Sequence, residues 1–528
     1  MGDLPRAGIR RPMSPFVLYW PMVLWALGFI EFHLTVFFGP RNGHTLGVSL
    51  WISLAVLLAE LWRRRNATLR VAGMLAGEVR RAPVLFWLLC AVQAGMFVLA
   101  SYEAHFPPHW PQEGDAINYQ MALPRQHLFW GSLEHLPWSV ADLWPMALQF
   151  GFAPVWFMSS TINKWPQLFG ALWAFGLMLA LGRSKAEHSF SGWIPALALF
   201  TTHGVMVQLG MAMLDLTNLY LLLAAWHAAV HRRSFWWAVH VALYAATKAF
   251  HPAQASILVI AMVGYMTIFE RGALVANQRL MAKGALLSTA LFAVLMTRSV
   301  MVSIERAGTP LHPFAVCQAI QVVKCEGRSG ESVRLSASTQ IASAYSYGNG
   351  RHLGALFRHL WRVAVSAVGT VNNEYDYPLG LTWLLVLVFC VMSIPEWIGV
   401  RKVPPELVIA AVVWILWWYT SQQSRWLYPL MAFGLLASVK TQILASRRLV
   451  IGVVLAAACM SIVSELRVVV PDFYVRASDL QAQMELQIEL GALPQSVKQK
   501  QTLYVSYAVK VVDLVEPNFI LPQYIVDD

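Results

Sequence analysis

The chain has 528 residues, 57% of them hydrophobic and only 13% charged, a balance too apolar for a water-soluble globule and suited to a polytopic membrane protein. Its formal charge of +11 invites a nucleic-acid reading, but membrane proteins collect Lys and Arg in cytoplasmic loops, which accounts for the excess with no nucleic-acid partner. No Walker motif, GxGxxG fingerprint, HExxH or GxSxG pattern is present, so nucleotide-driven and serine-hydrolase chemistry lack support.

In chain order, the apolar runs are 16–38, 46–62, 84–102, 165–182, 192–210, 213–230, 235–250, 254–270, 284–302, 379–399, 407–421, 426–439 and 450–466, about 13 candidate spans. Arg6, Arg10 and Arg11 precede the first run, which is too long for a signal-peptide core and is expected to be retained. With the N-terminus in the cytoplasm and sides alternating, more than half of the 39 Lys and Arg fall in seven short cytoplasmic segments. The short outward loops then carry almost none beyond Arg41 and Arg425. Trp144–Ser160, with Pro145 and Pro154, is expected to lie on or dip into the outer face. As a span it would put Arg183, Lys185, Arg232 and Arg233 outside.

This alternation divides the chain into five pieces. Residues 1–83 hold two extra spans and a basic cytoplasmic loop. Residues 84–302 form a transmembrane core whose first outer loop is 103–164. A large outer loop follows at 303–378, then C-terminal spans at 379–466 and an outer tail at 467–528. Cys90, Cys390 and Cys459 lie in apolar runs as small hydrophobes. Cys317 and Cys325 share the large outer loop, where an oxidising face permits a disulfide or leaves two free thiols.

Asp115, Asp215, Lys248, His251, Arg425 and Tyr428 come from distant regions, yet this topology places them at one depth, at outward ends of spans or in adjoining loops. Ionisable groups there are costly to keep and mark a site. Each also has a plainer reading. Asp115 in "EGDAINY" suits a helix N-cap as well as a general base, and the two are compatible. Asp215 suits a turn, Lys248 a snorkelling side chain and Arg425 an interfacial anchor beside Trp426. His105, His109, Glu113 and Asp115 lie close enough together to suggest a divalent metal, but their spacing fits no closed structural site, and a solvated loop is the stronger expectation.

Six stretches, in order, resemble bacterial integral-membrane glycosyltransferases of the GT-C class, the group that includes aminoarabinose transferases and protein O-mannosyltransferases. They are "GDAINYQMALPRQHLFWGSLEHLPWSVADLWPMALQFGF", "MLDLTNLYLLLAAWHAAV", "ATKAFHPA", "GTPLHPF" at Gly308–Phe314, "YDYPLGLTWLL" and "SQQSRWLYPLM". The likeness spans about residues 84–445. It departs at Gln120, where His is usual, at Thr309 in place of Asn, and at Trp426 in place of Tyr.

The resemblance implies an all-α polytopic membrane protein with interfacial helices in its first outer loop and a small periplasmic part. It implies an inverting transferase of the bacterial inner membrane that moves a sugar from a polyprenyl-phosphate donor to an acceptor hydroxyl on the periplasmic face. Asp115 would be the base, with Asp215 a second catalytic carboxylate. Lys248, Arg425 and Tyr428 would hold the donor phosphate. Tyr119, Gln120, Arg125, His251 and Asp376 are further cavity candidates, with Arg125 expected to meet membrane head groups. No cofactor is required. Membrane lipids are partners, and the acceptor stays open among glycolipid, lipid A, wall polymer and protein. The rivals are a transporter or flippase of lipid-linked saccharides, and a polymerase or ligase using Arg351, Arg358 and Arg362.

Overall fold

The computed structural model describes residues 14–39, 45–105, 108, 113, 115–134, 136, 140–158, 162–186, 190–248, 251, 254–260, 271–307, 348, 350–365, 375, 379–400, 403–419, 421–439 and 451–459. His109, Cys317, Cys325, Asp376, the Gly308–Phe314 signature and the tail lie outside them. Among the described residues the chain is helical, with no strand.

The elements that position the site are α1 (Trp20–Phe38), α2 (Val48–Arg63), α3 (Arg65–Arg80), α4 (Val84–Glu103), α5 (Ala122–Trp130), α6 (Ala147–Trp156), α7 (Trp165–Lys185), α8 (Ile194–Phe200), α9 (His203–Gln208), α10 (Asp215–Val230), α11 (Ser234–Ala245), α12 (Arg271–Ala307), α13 (Leu353–Val365), α14 (Leu381–Val400), α15 (Pro405–Tyr419) and α16 (Tyr428–Ala437). Among the described residues, five stretches are long and apolar enough to cross a membrane: Trp20–Phe38, Val84–Glu103, Trp165–Lys185, Ala282–Glu305 and Leu381–Gly399. Their outward faces are studded with large apolar side chains, including Val84, Val98, Leu286 and Met301, which water would disfavour and lipid accepts.

Other apolar runs fold differently from the expectation. Residues 192–210 are not one helix: the chain turns at Thr201 and Thr202, whose hydroxyls bond back to carbonyls of α8. Residues 63–83 are not a loop but the helix α3. Run 284–302 is the later part of α12, which is 37 residues long.

The clearest correction concerns Trp144–Ser160. Its helix α6 is buried at every residue, which rules out lying on a face and leaves a segment that dips into protein. It packs against α1, where Gly28 meets Gly151 so closely that a Cβ on Gly28 would run into the Gly151 carbonyl. Such crossings of small residues let backbones approach where lipid supplies no hydrophobic drive. Trp25 donates to the Ala147 carbonyl at 2.9 Å, and at the other end Asn163 donates to Val155 O at 2.6 Å. Both ends of this ten-residue helix find partners inside protein: the Ala147 N–H donates to Ala246 O at 3.3 Å, and the Val155 carbonyl accepts from Asn163. Gly28→Ala is expected to lower the melting temperature by forcing the helices apart, at a cost of about 1–3 kcal/mol. An unchanged thermal melt would show that the crossing relaxes freely.

Ion pairs mark both ends of the bundle. At the C-terminus of α7, Arg183 grips Glu78 through Nε at 3.0 Å and Nη2 at 2.6 Å. Lys185 reaches Glu406 at 2.9 Å. At its N-terminus, about 30 Å away at 1.5 Å per residue, Lys164 pairs with Glu113 at 2.9 Å. A second buried knot fastens the 113–146 segment to α12: Arg298 donates to Leu133 O at 2.9 Å, Asp142 O at 3.0 Å and the Asp142 carboxylate at 2.8 Å. His127 lies within 2.8 Å of that carboxylate.

Candidate functional site

Four charged residues from four parts of the chain converge at the α7 N-terminal end of the bundle. Asp115 precedes a π-helical turn, Ala116–Gln120. Asp215 opens α10. Lys248 follows the last turn of α11, and Arg425 lies in the 3₁₀ turn Ser424–Leu427 that leads into α16. Arg425 Nη2 is 2.9 Å from Asp115 Oδ2, and its Nη1 is 3.7 Å from Asp215 Oδ2. Lys248 Nζ donates to Asp215 Oδ1 at 2.9 Å. One guanidinium therefore spans both carboxylates, with the ammonium held on the second. A planar fork can do this and a point charge cannot.

The arrangement rests on residues that the sequence did not single out for it. Glu113, fully buried, receives Lys164 and the Ala212 N–H. It stands two residues before Asp115, and Ala212 three before Asp215, so one side chain bolts the two acid-bearing segments together. Its carboxylate is thus engaged in this bolt. His105 bonds to Ser101 O at 2.8 Å. Among the described residues no three His, Cys, Asp or Glu gather as a metal cluster. The sequence signal that could have found the bolt was a Lys opening an apolar run, where a charge is costly.

Helix α6 supports Lys248. Its Ala147 N–H donates to Ala246 O at 3.3 Å and Gln149 Nε2 to Thr247 O at 3.2 Å. Arg425 is aligned by Gln423, whose Oε1 accepts from Nε at 3.2 Å and Nη2 at 3.1 Å, while the Gln423 carbonyl accepts from Trp417 at 2.8 Å. The Ser424 N–H binds Tyr375 O at 2.7 Å.

Asp115 makes no side-chain cap: its carboxylate turns to Arg425 instead, so the capping expectation is not met. With its side chain 31% exposed, it is the more accessible of the two acids; Asp215 stands at 6%. Tyr119, edge-on to Trp144, lies beside the cluster with its hydroxyl 3.4 Å from Gln120 Nε2. Burial, and then the Asp115 carboxylate, push its phenol well above the ordinary range, so it remains protonated and able to donate. Arg125 does not reach head groups. It is 2% exposed, over the ring of Phe157 at 5.5 Å, because α5 is sunk into the core from Ala122 to Leu128. Tyr428 is fully buried at the first turn of α16.

A small cleft opens beside the cluster. Asp215, Asn218, His251, Gln254, Trp417 and Arg425 line it. His251 stacks on Tyr244 at 4.4 Å and donates its Nδ1–H to the Tyr244 carbonyl. Burial, and then Lys248, push its pKa down to about 3, so the imidazole is neutral. Tyr244 and Leu258 also wall a second, almost wholly apolar groove that includes Leu221, Trp226, Trp237 and Phe433. Polar cleft and apolar groove therefore share a boundary. An amphiphile with an anionic head can place the head against Arg425, beside the Lys248–Asp215 pair, and its chain along Trp226 and Phe433.

Compared with protein-family models, curated proteins and solved structures, the chain matches none of them.

Proposed function

We propose that the protein is an inverting glycosyltransferase that moves a sugar from a polyprenyl-phosphate donor to an acceptor hydroxyl, on the membrane face opposite the basic Arg183 and Lys185 end. The observation that carries this reading is the Asp115–Arg425–Asp215–Lys248 chain at a cleft that runs on into an apolar groove. It supplies cations for a phosphate, a more exposed carboxylate for a proton, and a greasy lane for an isoprenoid.

In this reading the acceptor O–H gives its proton to Asp115 while its oxygen attacks the anomeric carbon. The new C–O bond forms as the bond from that carbon to the phosphate oxygen breaks. The electron pair leaves with the polyprenyl phosphate, whose added charge Arg425 and Lys248 stabilise. Attack opposite the leaving group inverts the anomeric centre. The resemblance of six ordered motifs to GT-C enzymes supports the same chemistry. In this reading the basic α7 end faces the cytoplasm of a bacterial inner membrane and the site the periplasm.

Purified protein in lipid nanodiscs should release polyprenyl phosphate from a hexose-bearing polyprenyl phosphate when given acceptor, with an inverted linkage, and should not use a sugar nucleotide. Movement of the intact lipid-linked sugar across a vesicle bilayer, with no phosphate ester cleaved, would instead establish a transporter.

A further inference from the structure

The mechanism above leaves one cleft residue without employment. Asn218 lies one turn after Asp215 on α10, on the same helix face, and lines the cleft. Its side chain is 6% exposed, yet among the described residues neither its Nδ2 nor its Oδ1 has a hydrogen-bond partner. A buried primary amide with all its capacity unspent is costly. Asp215 Oδ2 is in a similar condition: it has no hydrogen bond and faces Arg425 only loosely at 3.7 Å. The other amide on the wall, Gln254, is oriented, since its Oε1 accepts from Tyr244 at 2.9 Å and its amide N–H groups are left as donors. The indoles of Trp417 and Trp426 contribute flat apolar surface to the same cleft.

From this juxtaposition of unspent donors and acceptors, and resting on the glycosyltransferase reading, we infer that Asn218 is the specificity-determining residue that binds the hydroxyls of the donor's sugar. A vicinal diol matches the pair: one hydroxyl donates to Asp215 Oδ2, and its neighbour accepts from Asn218 Nδ2 and donates to Oδ1. The phosphate stays with Arg425 and Lys248. The sugar is therefore a neutral one with adjacent free hydroxyls near the phosphate. A site built to bond a hydroxyl rejects analogues lacking it far more strongly than an apolar pocket rejects a methylene, because its own polar groups are left bare.

The test is binding of three lipids to the full-length protein in nanodiscs: sugar-free polyprenyl phosphate, and the same lipid carrying glucose or mannose. The wild type should bind at least one hexose-bearing lipid about tenfold or more tightly than the sugar-free one. Asn218→Leu should erase that difference while leaving the sugar-free affinity within about twofold. Because an unbonded amide is being replaced by an apolar side chain of similar size, the variant should also melt no lower than wild type. Asn218→Ser, which keeps a hydroxyl, checks the result should Leu fail to fold; it should retain part of the hexose preference. Equal loss for all three lipids, or a lowered melting temperature with the hexose preference intact, overturns the assignment and leaves Asn218 a structural residue. If the wild type binds sugar-free lipid but gains nothing from a hexose, the inference fails and the phosphate site stands. If it binds none of the three, the glycosyltransferase reading itself falls.

Discussion

Asp115→Asn is expected to abolish transfer while leaving the fold and donor binding in place. General-base catalysis by a positioned group contributes about 10²–10⁴-fold, and asparagine cannot accept the proton. The geometry adds a less obvious expectation. Without a donor, Asp115 is held by Arg425 at 2.9 Å. In the proposed reading a donor phosphate would compete for that guanidinium and leave the carboxylate free to face the acceptor hydroxyl. Asparagine competes for Arg425 more weakly than aspartate does. The variant should therefore bind the donor at least as tightly as wild type, with the entire loss falling in kcat. Single-turnover transfer and donor titration, run on the same preparation, separate the two effects. Full activity in Asp115→Asn would remove the base assignment. A collapse of donor affinity would mean that Asp115 holds the ligand and does not activate the acceptor.

Arg425→Ala should act the other way, chiefly on donor binding. Truncating one member of a buried charge pair costs about 2–5 kcal/mol, which at 1.4 kcal/mol per decade is a donor affinity lower by roughly 30-fold or more. The side chain is 8% exposed and lies within ion-pair distance of both acids. Lysine should not rescue it, since one ammonium cannot satisfy Asp115 and Asp215 together while keeping two donors on Gln423. Stability should fall less than for a wholly orphaned acid, because Asp215 keeps Lys248 at 2.9 Å. The readouts are donor KM, expected to rise, and the thermal melt, expected to drop modestly. If kcat falls with donor KM unchanged, Arg425 serves only the transition state. In the double variant the two effects should not add, because both residues act through one contact.

How much of this was legible beforehand differs from residue to residue. Asp115, Asp215, Lys248 and Arg425 could be nominated because each is a charge at the edge of an apolar run, where charge is expensive. Their common depth followed from counting spans and from where Lys and Arg fall. Glu113 stood out only as a weak candidate metal ligand in a polar stretch. Its partners Lys164 and Ala212 lie 51 and 99 residues away, and no local pattern encodes that meeting. Arg125 was misjudged for the opposite reason. A helix with Arg, Gln and His on it looks interfacial, but α5 is covered by neighbours on every side, and burial depends on what packs against a helix as much as on its own composition. Helix α6 is the same case: hydropathy shows that a segment avoids water without saying whether lipid or protein replaces it.

The amino-acid sequence by itself determined that this chain is helical and built for lipid, which stretches are apolar enough to sit there, and which few ionisable groups had to be accounted for. Those follow from composition and from the cost of charge in hydrocarbon, both of which are local properties. Only the tertiary structure decided that Arg425 is shared between two acids, that Glu113 bolts them together, and that Asn218 faces a cleft with its amide unspent. These are long-range coincidences of position, created when helices distant in sequence pack, and the energies that make them matter arise from burial after the packing is complete.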